Sequence, residues 1–84
     1  MSRIYYRIRL LHAPVRFAKI ESYPTYESCI KRIQEIIWIV KRDYSADLLE
    51  YEIDQMEQND HCVFIHTINR TRWSRPKQAH TEAS

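Results

Sequence analysis

With 84 residues, 44% of them apolar and 29% charged, the chain suits one folded domain with one modest core. It is too short for a second domain and too rich in Ile and Tyr for a disordered segment. A formal net charge of +2 excludes a uniformly basic nucleic-acid binder, and no apolar run reaches the roughly 18 residues of a membrane span.

Residues 3–11, RIYYRIRLL, alternate, with Ile4, Tyr6, Ile8 and Leu10 on one side and Tyr5, Arg7, Arg9 and Leu11 on the other. This period of two predicts a half-buried β-strand. The proline of His12-Ala13-Pro14 ends it, because proline removes a ladder donor and restricts the residue before it. Residues 15–21, VRFAKIE, have β-type composition and predict a second strand paired with the first.

The next segment, TYESCIKRIQEIIWIVKRDY over residues 25–44, carries the clearest period in the chain. At about 100° per residue, Tyr26, Cys29, Ile30, Ile33, Ile36, Ile37, Val40 and Tyr44 fall within roughly 60° of one direction. This predicts an amphipathic helix with Thr25 as N-cap, Glu27 in the first turn, and Lys41 and Arg42 in the last. No glycine is present, so the helix has to end without the usual left-handed Gly cap. Two residues break the polar face. Trp38 projects about 140° from the stripe and Ile39 about 120° the other way, which offers them to a covering segment or to a partner.

Residues 48–54, LLEYEID, place Leu49, Tyr51 and Ile53 opposite Glu50 and Glu52 and predict a third strand. The polar residues 55–61 predict a hairpin loop, and CVFIHTI over residues 62–68 a fourth strand, apolar on both faces. From Asn69 the pattern stops.

The expected fold is therefore α+β, a four-stranded antiparallel sheet in the order ββαββ with the helix packed on one face. Residues 1–68 form the single domain, and residues 69–84 a flexible basic C-terminal tail.

No arrangement of residues supplies catalytic machinery. Glu50 and Glu52 share a face, but opposite Arg7 and Arg9 they fit strand pairing better than acid–base work. His61, Cys62 and His66 do not converge along a strand as zinc ligands must. No enzymatic activity, metal or cofactor is expected. The arginines within MSRIYYRIRL stand where a signal peptide needs its apolar region, so the chain is expected in the cytoplasm.

The leading functional expectation is a protein-docking module anchored by Trp38 and Ile39, with Lys31, Glu35 and Arg42 as a polar rim. Its concrete form is a phage or mobile-element inhibitor that blocks a host defence or transcription complex, a protein or nucleoprotein, by occupying its surface. A second reading is nucleic-acid binding through Tyr5, Arg7 and Arg9 on one sheet face and Arg70, Arg72, Trp73, Arg75 and Lys77 in the tail. A third is a homodimer closed through the open sheet face or the edge of the last strand.

Overall fold

The computed structural model describes residues 3–76. Its elements follow the expected order: β1 (Arg3–His12), β2 (Ile20–Tyr23), α1 (Tyr26–Asp43), β3 (Leu48–Gln58) and β4 (Cys62–Ser74). All neighbouring strands are antiparallel, and the sheet order is β2-β1-β3-β4.

The alternation of β1 decides which face meets the helix. Ile8 and Leu10 are buried together with Leu49, Tyr51 and Ile53 of β3 and with Cys29, Ile33, Ile36 and Val40 of α1. Thr25 caps the helix as its spacing implies: its backbone is extended and its Oγ1 accepts a hydrogen bond from the Ser28 amide at 3.1 Å, satisfying one of the first-turn donors. At the other end Tyr44 takes the left-handed conformation, φ 54° and ψ 33°, the position where glycine is normally placed. Tyr44 thereby leaves the apolar stripe and is exposed.

Three boundaries differ from the sequence reading. Residues 15–19 do not join β2, which begins at Ile20. They belong to a loop that follows Pro14 and tucks Phe17 into the core, so the apolar content there reflects one buried ring rather than a strand face. The polar run 55–58 continues β3 to Gln58 rather than forming a loop, and only Asn59–His61 turn the chain. The basic segment is not a tail from Asn69, because β4 continues through Ser74.

The cause of this last difference is a pair of β-bulges. Along β3 the partner moves from Asn69 to Thr67 between Ile53 and Asp54, and from His66 to Phe64 between Gln55 and Met56, leaving Ile68 and Ile65 as extra residues. Each bulge interrupts the period of two. Beyond them Asn69, Thr71 and Trp73 pair with Ile53, Tyr51 and Leu49 on the helix side.

The sheet also outruns the helix. The first helical residue, Tyr26, meets Tyr6 edge-on at 6.1 Å between ring centroids and accepts a hydrogen bond from Asn69 Nδ2 at 2.8 Å. Ile4, Glu57 and Val63 lie beyond that point as a three-stranded arm, and Ile4, Val63, Phe64 and Ile65 are exposed on it.

Candidate docking surfaces

The face of the sheet opposite the helix is organised in rows, because residues paired across antiparallel strands point the same way. Register sets Tyr5, Met56 and Phe64 in one row, Arg7, Asp54 and Thr67 in the next, then Arg9, Glu52 and Arg70, then Glu50 with Arg72. Tyr5, Arg7, Arg9, Glu50 and Glu52 are where the alternation puts them. The residue at the centre of this face, Asp54, is not among those singled out from the sequence.

Asp54 is 0% exposed, although among the described residues no second layer of backbone lies over it. Its cover consists of the side chains it binds. Oδ2 accepts from Arg7 Nη2 at 2.8 Å, Arg7 Nε at 3.0 Å and Arg9 Nε at 2.6 Å, while Oδ1 accepts from Thr67 Oγ1 at 2.8 Å. Arg9 also reaches Glu52, and Glu52 takes Arg70 at 3.2 Å from its other oxygen. A buried carboxylate is tolerable when its lone pairs meet charged donors in this way. Burial pushes the Asp54 carboxyl up, and the hydrogen bonds from Arg9, Arg7 and Thr67 outweigh that and hold it below its ordinary value. The signal in the sequence was available: Asp54 continues the 50, 52 alternation and falls opposite Arg7.

This arrangement changes the standing of the basic residues. Arg7 and Arg9 are committed to acids within the chain. Trp73 packs against the core from the helix side. Arg75, expected in a free tail, instead closes the helix C-terminus: its Nη2 donates to the carbonyls of Val40 at 2.9 Å and Ala46 at 2.8 Å, its Nε donates to Asp47 at 3.2 Å, and its guanidinium lies 4.4 Å from the Tyr44 ring centroid. Arg70 and Arg72 are exposed. Lys77 lies outside the described residues.

On the outer face of α1, Trp38 is 58% exposed, with the Arg42 guanidinium 5.0 Å from its ring centroid, a pairing set by the i, i+4 spacing. Lys31 and Glu35 are exposed on the same helix. Glu35 is held by Arg32, which also grips Glu21 of β2 with Nε at 3.0 Å and Nη2 at 3.2 Å. Ile39 differs from the expectation. It is half-buried and packed against the core, because the helix sits deep enough in the twisted sheet and its flanking loops for the flank of the stripe to be covered. Of the two expected anchors, Trp38 alone stands clear.

The titratable groups define a stability window. Glu21 is pushed up by burial but held below its ordinary value by Arg32 and Tyr23, which adds to the effect at Asp54. Groups depressed in the fold contribute stability that is complete above their unfolded values, about 4, and is lost as pH falls through the lower folded values. On the alkaline side Tyr23 is pushed up to about 12 by its hydrogen bond to Glu21 and by burial, and Cys29 up to about 11 by burial. Their stabilisation is complete below the unfolded values, roughly 8.5 for a thiol, and is lost as pH rises toward the folded ones. The expected result is a plateau of melting temperature from about pH 5 to about pH 8, with losses on both sides. A melting temperature still rising below pH 4 in a pH series would contradict these assignments.

Among the described residues no group of three or more His, Cys, Asp or Glu side chains is placed to hold a metal ion, and no helix is long and apolar enough to cross a membrane. Fold and surface together define a small α+β domain with a helix on one sheet face and a self-paired charged network on the other. Comparison with protein-family models, curated proteins and solved structures gives no match to this chain.

Proposed function

We propose that the chain is a non-enzymatic protein-docking module whose anchor is Trp38. The observation that carries this reading is the exposed indole on a helix that cannot easily shift, since Arg32 ties α1 to β2 and Arg75 ties its C-terminus to the end of β4. A rigid aromatic side chain loses little entropy on docking and fills an apolar pocket, the usual source of interface free energy. Lys31, Glu35 and Arg42 lie on the exposed surface of the same helix, so the matching partner is a protein with an apolar slot and a rim of mixed charge. Surface occupancy of this kind blocks whatever else uses the slot; a phage or mobile-element inhibitor of a host defence or transcription complex is its concrete form.

The open sheet face favours a protein over a phosphate backbone, because Arg7 and Arg9 already meet Asp54 and Glu52. The test is capture of partners by the tagged chain from its own host's lysate, with and without nuclease, followed by titration of the captured partner. Retention after nuclease is expected, with Trp38→Glu weakening the complex at least about tenfold. Binding unchanged within about twofold in that variant, or capture that vanishes with nuclease, would overturn the assignment.

A further inference from the structure

The four-stranded sheet has unequal edges. At one side β2 offers only Ile20–Tyr23; at the other, β4 runs from Cys62 to Ser74 and among the described residues pairs with β3 alone. A long edge strand is a template for another strand, and folded chains usually blunt it with charge, proline, β-bulges, brevity or a covering segment. Residues 62–69, CVFIHTIN, contain no charged residue and no proline. Val63, Phe64, Ile65 and Ile68 are exposed along them, Phe64 at 48%.

We propose that the outer edge of β4 pairs antiparallel with β4 of a second copy of this chain, joining two sheets into one across a two-fold axis. The distribution of charge selects this occupant. The uncharged stretch is bracketed by Asp60 at its start and by Arg70 and Arg72 at its end. Antiparallel pairing with an identical strand brings each Asp60 to the arginine end of the other copy, whereas parallel pairing sets like charges side by side.

The bulges at Ile65 and Ile68 bend and twist the edge, a device that blunts strand addition, so the pairing rests on the uncharged run and on the placement of Asp60, Arg70 and Arg72. The interface closes on itself, as a two-fold contact must, and leaves no free β4 edge for a third copy. Its size is that of one strand edge with four exposed apolar side chains, the lower end of specific interfaces, where weak and reversible association is the rule. Trp38 lies on the helix, outside this contact.

Sedimentation equilibrium from about 5 to about 500 μM tests the proposal. The expected result is a shift from the 10.3 kDa chain to its dimer with no larger species. Ile65→Lys places a charge on the pairing edge and is expected to raise the dissociation constant about tenfold or more. Because a bulge residue is altered, exposed charges supply the second arm: Asp60→Arg and Arg72→Asp each weaken the dimer, and together they restore it. Trp38→Glu leaves the mass unchanged. A monomer throughout, open-ended growth with concentration, or charge-swap variants that keep their fold but show no mutual rescue would overturn the pairing.

Discussion

Replacing Asp54 by alanine is expected to lower the unfolding free energy by about 3 kcal/mol, the lower end of the cost of removing one member of a buried ion pair. The lower end applies because its two arginine partners are not sealed in. Their side chains are 25% and 30% exposed, so once deserted they turn partly toward water instead of remaining unpaired in the interior. Thr67 loses the acceptor for its hydroxyl at the same time. For a domain of this size, whose total stability is on the order of 4–12 kcal/mol, the loss removes a large share. Asp54→Asn separates charge from shape: it keeps an acceptor for Thr67 but turns amide hydrogens toward guanidinium donors, and is expected to cost nearly as much. In the Asp54→Ala background, Arg9→Ala should add little, since its main partner has already gone. Urea unfolding of these variants measures all three values. A loss below about 1 kcal/mol for Asp54→Ala would mean that the carboxylate is solvated in solution and that the network is a surface feature of little weight.

The parts of the fold that were legible are those in which one local rule acts along the whole element. The helix over Tyr26–Asp43 follows from a stripe that repeats without a break, and its start from Thr25, whose side chain acts on its own first turn. β1 is legible because Ile8 and Leu10 face a continuous core while Arg7 and Arg9 face away from it. Polar residues hide the other strand ends for two reasons. Gln55–Gln58 lie toward the end of the sheet that passes the helix, and the buried residue among them, Met56, shares the face of Asp54 and not that of Ile53, so an isolated apolar residue in a polar run looks like a loop. Asn69–Ser74 do alternate, but the bulges at Ile65 and Ile68 have shifted the phase, and Asn69 and Thr71 satisfy the inner face through hydrogen bonds to Tyr26 and to each other.

The same division separates the site residues. Trp38 is visible from spacing alone, because an apolar ring among charges on the outer face of a helix is a local anomaly. Ile39 is equally anomalous on a helical wheel, and only the depth at which the helix sits decides that it is covered. Arg75 could not be assigned from its neighbours at all. Its partners Val40, Lys41 and Ala46 are brought to it by the return of β4 along the sheet, a relation that no short window of sequence contains.

That relation makes residues 69–76 structural rather than appended. Ending the chain after Ile68 is expected to abolish folding, whereas ending it after Pro76 leaves the sheet pairing and the helix closure in place. The shorter chain loses the partners of Leu49, Tyr51 and Ile53, which are Trp73, Thr71 and Asn69. It thus turns the most buried part of β3 into an edge, with its ladder groups unpaired. The helix loses its closure as well. A helix leaves its last carbonyls without internal partners, and in this glycine-free chain those of Val40 and Lys41 are served by Arg75. Tyr44 holds a left-handed conformation that costs a non-glycine residue about 1–2 kcal/mol, and the guanidinium 4.4 Å from its ring centroid offsets part of it, about 0.5–1 kcal/mol at an exposed site. Arg75→Ala isolates this second contribution and is expected to remove about 2 kcal/mol while the sheet stays paired. Loss of nucleic-acid binding on deleting residues 69–84 would therefore report an unfolded chain and not a missing basic tail. Circular dichroism and thermal melts of the two truncated chains and of Arg75→Ala decide the matter: a cooperative melt in the chain ending at Ile68 would show that the second half of β4 is dispensable and that the core closes without it.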